Sequence, residues 1–153
     1  MVLKKLKVTD LALLNIWLNK DYVRKYLGEP SEWINEIKEN MDKSDWIKYF
    51  IVFSDNIPIG FVQYYETNKA PEGIWSKEPE GTIGIDYLIG EEDYLQKGYG
   101  TIMIRNLIYL IRKTNKYKFI VADPVIENMA SVSVLIDSGF IKQRSGLYKL
   151  VLR

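Results

Sequence analysis

The sequence contains no cysteine and no histidine. Without thiols there can be no disulfide, no Cys-ligated zinc and no cysteine acyl-enzyme. Without imidazoles there is no Ser–His or Cys–His dyad, no His-based proton transfer and no His-ligated zinc. A catalytic base must therefore be a carboxylate, a lysine, a tyrosine or water, and no metal is expected. Nowhere does an uninterrupted apolar run approach the ~18 residues of a membrane span, so no membrane partner is expected. Met1–Asp10 carries lysines and lacks an apolar h-region. No signal peptide is read there, and the expected compartment is the cytoplasm.

What is present is 153 residues, 47% of them hydrophobic, which fits a single domain over 1–153 with a sizeable core. The net charge of +1 argues against a nucleic-acid partner, as does the absence of a basic–aromatic patch. The charge is unevenly spread. Gln63–Asp93 holds eight acidic and two basic residues, whereas Leu95–Arg153 holds ten basic and three acidic. Such a division suits a protein that joins an anionic cofactor to a cationic substrate; it also suits two ordinary solvated surfaces.

Periodicity predicts a weak strand at Val2–Val8, then helices over Leu11–Asn19 and from Pro30 to about Met41. Trp46–Phe53 and Ile57–Glu66 read as a hairpin around Ser54-Asp55-Asn56. Thr67–Gly81, rich in Pro, Gly and Glu, reads as a long loop around Trp75. Thr82–Ile89 is a strand, Tyr99–Lys113 a buried helix and Tyr117–Ala122 a strand. Asn128 caps a helix to Ser138, with Gly139 at its end. Phe140–Gln143 and Leu147–Leu152 are closing strands. The class is α/β with a mixed sheet.

Leu95-Gln96-Lys97-Gly98-Tyr99-Gly100-Thr101 lies between a strand and a helix. Glycines there let backbone N–H groups converge, the helix N-terminus adds partial positive charge, and Lys97 adds a full one: a pyrophosphate cradle. It is not a Walker A loop, which needs G-x-x-x-x-G-K-[ST]. Nor is it a dinucleotide fingerprint, because Met103 stands where a third glycine is required. The run resembles motif A of the GCN5-related N-acetyltransferase (GNAT) superfamily, Q/R-x-x-G-x-G/A, with Leu95 in the first position. Asn128-x-x-Ser131-x-x-x-Leu135-x-x-Ser138-Gly139-Phe140 is similar to motif B of the same superfamily. There position 135 usually carries a tyrosine proposed to protonate the leaving thiolate; here it is Leu135, and no acid is assigned. A thiolate of pKa near ~8.5 is a tolerable leaving group without one.

The middle of the chain narrows the resemblance. Pro58–Tyr65, Gly73-Ile74-Trp75, Gly84-Ile85-Asp86-Tyr87-Leu88-Ile89 and Ala122-Asp123-Pro124 are similar to segments of aminoglycoside 6′-N-acetyltransferases. The resemblance implies a central, mostly antiparallel sheet splayed at a coenzyme A site and flanked by helices. It implies acetyl-CoA as cofactor, bound by Tyr87, Leu88, Ile89, Gln96, Lys97, Gly98, Tyr99, Gly100, Thr101, Asn128 and Ser131. The acceptor it implies is an amine of a small polycation, met by Gln63, Tyr65, Trp75, Asp86 and Asp123, with Glu78 and Glu80 as further ammonium ligands. Asp86 is the expected catalytic group, accepting the amine proton directly or through water, and a strand N–H near Tyr87–Leu88 is the expected oxyanion donor. Each of these residues has a plainer reading. Asp86 could be a water-facing strand residue, Trp75 a lid on the core, and Asp123 before Pro124 simple turn chemistry. The alternatives in function are another amine acceptor (a polyamine, a siderophore precursor or a protein N-terminus) or a non-catalytic acyl-CoA sensor. The chain is expected to act as a monomer or homodimer.

Overall fold

The computed structural model describes Met1–Arg153. Seven strands form one sheet: β1 (Val2–Lys5), β2 (Ile47–Ser54), β3 (Ile57–Glu66), β4 (Thr82–Ile89), β5 (Phe119–Ala122), β6 (Ile141–Lys142) and β7 (Tyr148–Val151). The order is β1-β2-β3-β4-β5-β7-β6, and every pairing is antiparallel except β4–β5. Five helices cover the sheet: α1 (Leu11–Leu18), α2 (Asp21–Leu27), α3 (Pro30–Asn40), α4 (Tyr99–Lys113) and α5 (Met129–Asp137). The expected α/β class and its mostly antiparallel sheet are what the chain forms.

Each element follows from local sequence. The β2–β3 hairpin turns on Asp55 and Asn56, both at positive φ, which residues with short polar side chains tolerate. β3 is buried on both faces from Ile59 to Tyr64, as a central strand must be. One face packs on α4 and α5 through Ile83, Ile85, Met103, Ile104, Leu107 and Leu135. The other packs on α1–α3 through Leu14, Trp17, Leu18, Ile37, Phe61 and Leu88. α2 was not anticipated: at 7 residues it is shorter than the window in which helical periodicity can be read.

The feature that positions the site is a split. β4 and β5 pair only over Thr82–Phe119, Ile83–Ile120 and Gly84–Val121. Beyond Gly84, β4 runs on to Ile89 paired with β3 alone, while β5 ends at Ala122 and leads into the loop before α5. The two strands diverge, and the β5-facing edge of Ile85–Ile89 lines a cleft instead of a ladder.

Candidate active site

The cleft has a volume of about 620 Å³ and lies between open β4, α2, the turn before α4 and the start of α5. Its walls are mainly apolar, with Leu27, Ile89, Met103 and Val134 among them. Of the residues expected to hold the cofactor, Tyr87, Leu88, Ile89, Gln96, Gly98, Gly100, Thr101, Asn128 and Ser131 line it. Lys97 and Tyr99 do not: Lys97 is exposed, and the Tyr99 ring packs edge-on against Tyr94, 4.8 Å between centroids. Tyr22 and Tyr26 line the cleft from α2 and were not foreseen, because that helix was not.

The turn is built for an anion. Gly98 is the α4 N-cap at φ 86°, a left-handed conformation that lets the chain reverse into the helix. Nothing would meet a Cβ there, so conformation, not crowding, calls for glycine. Gly100 answers a different need: an added Cβ would come within 2.9 Å of Val134 on α5. The first N–H groups of α4 have no intrahelical acceptor and face the cleft mouth.

Strand alternation decides what the open edge of β4 offers. Gly90 N–H bonds Ile59 O on the β3 side, while Ile89 O accepts the Tyr22 hydroxyl at 2.8 Å on the other. Backbone polar groups therefore alternate so that Tyr87 N–H points into the cleft and Leu88 N–H toward β3. Of the two residues expected to supply an oxyanion donor, Tyr87 has the suitable direction. An anion-binding turn, an unpaired strand edge and apolar walls fit a pyrophosphate followed by an extended amide-bearing arm, as in coenzyme A.

On the α1–α3 face, a row of directly opposed residues crosses three strands: Tyr49, Gln63 and Asp86. Gln63 Nε2 donates to Asp86 Oδ2 at 2.8 Å. Asp86 lies two residues past Gly84 on one arm of the split, and Asp123 two residues past Val121 on the other. Both thus project on the same face of the diverging strands. Desolvation pushes the Asp86 carboxyl up to about 6; the Gln63 bond pulls it back, and the charges of Glu36 and Asp123 raise it further. Asp86 is half-buried, held by Gln63 and desolvated by the face around it, so it is not a freely hydrated strand residue. Asp123 is exposed, and desolvation raises its carboxyl above the usual range.

Tyr65 lies flat over Gly84, its cross-strand neighbour; a Cβ on Gly84 would overlap the ring. Trp75 stands edge-on to Tyr65 at 5.9 Å, its Nε1 donating to Pro71 O. The loop therefore brings Trp75 to the Tyr65–Asp86 face and does not bury it as a core lid. Burial, then the charges of Asp86 and Asp123, raise the Tyr65 phenol strongly. Glu36 of α3 was missed by sequence reasoning: it sits on an amphipathic helix where an acidic residue looks like solvated surface. Partial burial of its carboxyl, with Glu39 nearby, raises its pKa. The Tyr49 hydroxyl, buried in the field of Glu36, has no hydrogen-bond partner.

One expectation for the acceptor side changes. Glu78 is not free for a ligand, because Lys149 Nζ holds its Oε1 at 2.7 Å in a pair that is largely shielded. Leu135, to which no acid role was assigned, is fully buried in the core. Glu80 is exposed and has no ion-pair partner.

A glycine turn opening a helix, a sheet split beside it and a desolvated carboxylate at the opening are the features an acyl-CoA-dependent transferase requires. The model of the acetyltransferase (GNAT) domain matches residues 7–146, and the chain belongs to this family. Acetyl-CoA is its acyl donor. An aminoglycoside N(6′)-acetyltransferase type 1 of Klebsiella pneumoniae is 28% identical over 141 residues, covering 88% of this chain and 70% of that protein. The aminoglycoside acetyltransferase AAC(6′)-Ib, solved with coenzyme A, superposes with a TM-score of 0.85 at 24% identity, over 98% of this chain and 94% of that one. An aminoglycoside N(6′)-acetyltransferase of Legionella pneumophila gives 0.78 at 22% identity, over 99% and 91%. These structures share the fold. No helix is long and apolar enough to cross a membrane.

Proposed function

We propose that this protein transfers the acetyl group of acetyl-CoA to a primary amine of a small polycation, the 6′-amine of an aminoglycoside. The observation that carries the reading is the enclosed Asp86 at the split, on one face with Asp123, Gln63, Tyr65 and Trp75. Curated relatives named for this activity support it.

When bound, acetyl-CoA supplies an acetyl thioester. The turn residues Gln96, Gly98, Gly100 and Thr101 would hold its pyrophosphate, Asn128 and Ser131 would flank its arm, and Tyr87 N–H would face the carbonyl oxygen where negative charge develops. Asp86 attracts an ammonium and takes its proton, directly or through water. An unperturbed carboxyl near ~4 is a weak partner for an amine near ~10, and the shift to about 6 narrows that gap. Gln63 holds one carboxylate oxygen and so orients the other. Asp123 and Glu36 offer further ammonium contacts, and Tyr65 and Trp75 offer apolar faces to sugar rings. The acceptor amine thus meets carboxylates from α3, β4 and the end of β5.

The test is thiol release from acetyl-CoA with kanamycin-like aminoglycosides, polyamines and peptides, followed by mapping of the acetylated nitrogen. Turnover at a 6′-amine is expected. Turnover confined to polyamines or peptides would reassign the acceptor, and acetyl-CoA binding without turnover on any amine would mark a sensor.

A further inference from the structure

Asp86 and Tyr87 are adjacent on the open stretch of β4, so their side chains leave the strand on opposite faces. Asp86 faces α3 and the acceptor side. Tyr87 packs toward α4 and α5, and its hydroxyl spans the cleft to Ser131, meeting both Oγ and, at 3.3 Å, the carbonyl oxygen. A thioester lying along open β4, held from the turn before α4, has the carboxylate on one side and this phenol on the other.

The other hydroxyls of the cleft are placed elsewhere. Tyr22 is committed to Ile89 O, Tyr26 reaches Glu127 O at the rim, and Thr101 belongs to the phosphate turn. Leu135 has no proton to give.

We propose that Tyr87 is a further catalytic residue, donating its phenolic proton to the sulfur of coenzyme A as the acetyl group leaves. The inference rests on the acetyl-transfer reading above. The amine nitrogen, having lost one proton on the Asp86 side, forms the N–C bond as the C–S bond breaks. The sulfur departs with the electron pair of that bond and takes the phenolic proton. Water, through Ser131 Oγ, returns a proton to the phenolate, and the amide nitrogen sheds its second proton to solvent. The sum is ammonium plus thioester giving amide, thiol and one proton. Placing acid and base on opposite faces keeps them from neutralising each other. Burial raises the Tyr87 phenol, and Ser131 moderates the rise, so the proton is in place at neutral pH.

Tyr87→Phe removes one oxygen and keeps the ring. Calorimetry with coenzyme A and its desulfo analogue reads the contact without any turnover. The wild type should prefer the thiol by about 3–10-fold, the size of one hydrogen bond, and the variant should show no preference while binding the desulfo compound as the wild type does. Thiol release should fall about 10²-fold in the variant, to an amine and equally in background hydrolysis by water. Ser131→Ala, which keeps the phenol, should lose only a few-fold and guards against misfolding of the first variant. Equal thiol release in wild type and Tyr87→Phe overturns the proposal, as does an equal loss of affinity for both ligands. If no amine is acetylated, the acceptor reading fails alone, and the hydrolysis and desulfo comparisons still decide on Tyr87.

Discussion

Replacing Asp86 by asparagine should make the protein more stable and nearly inactive, and both effects can be sized from the site. Desolvation pushes the carboxyl up to about 6 in the fold, against about 3.9 for a free aspartate. Two pH units correspond to about 3 kcal/mol of cost for keeping the ionised form enclosed at neutral pH. Because the folded value is raised, the folded state holds this proton more tightly than the unfolded chain does. The wild type is therefore unpenalised below pH ~4, loses stability as pH rises through 6, and carries the full penalty above 7. Asparagine matches the shape, can still accept from Gln63, and has no charge to desolvate. The gain at pH 7.5 should be about 1–3 kcal/mol, or roughly 3–10 °C in Tm for a chain of this size. The gain should vanish near pH 3.5. Thermal unfolding of both proteins across that range is the assay. In parallel, kcat should drop about 10²–10⁴-fold with acetyl-CoA affinity unchanged, and wild-type kcat/KM should rise with pH to a plateau above about 6. A stability difference that does not depend on pH would refute the claim that the carboxylate is desolvated. Undiminished turnover would refute its role as proton acceptor.

Other consequences are sharper in place than in size. Gly98→Ala forces a side chain into a left-handed N-cap and should cost about 1–2 kcal/mol. It should also weaken acetyl-CoA binding more than acceptor binding, as paired titrations would show. Gly84→Ala drives a methyl into the Tyr65 ring; the acceptor KM should rise with a stability loss of about 1–3 kcal/mol, read by kinetics and denaturant melts. Lys149→Met leaves Glu78 shielded and unpaired beside the Trp75 loop. Acceptor KM should increase several-fold while acetyl-CoA affinity holds, and Glu78→Gln in the same chain should restore it.

Much of this was legible in the chain. Apolar patterning, β-branched and aromatic runs and helix caps mark every strand and all helices but α2, and the turn chemistry of Asp55-Asn56 and Gly98 marks where they reverse. The phosphate turn is readable because its chemistry is local: backbone amides and a helix start lie within a few consecutive residues. Asp86, Gln63 and Asp123 were legible as candidates through resemblance, and the absence of Cys and His left carboxylates as the natural base.

Tertiary structure decided the rest, because the deciding contacts are long-range. Whether Asp86 is a surface charge or a desolvated carboxylate depends on register with Gln63, 23 positions away, and on α3 above it. That Glu78 is spent on Lys149, 71 positions on, follows only from where the loop meets β7. The split itself is invisible in β4 and β5 taken singly. Composition and local pattern therefore indicated the class, every element but α2, and carboxylates as the candidate bases. The environment that desolvates Asp86 beside Gln63, and brings the Tyr87 hydroxyl to Ser131 across the cleft, came from strand divergence. No local pattern encodes which edge of a strand the fold leaves unpaired.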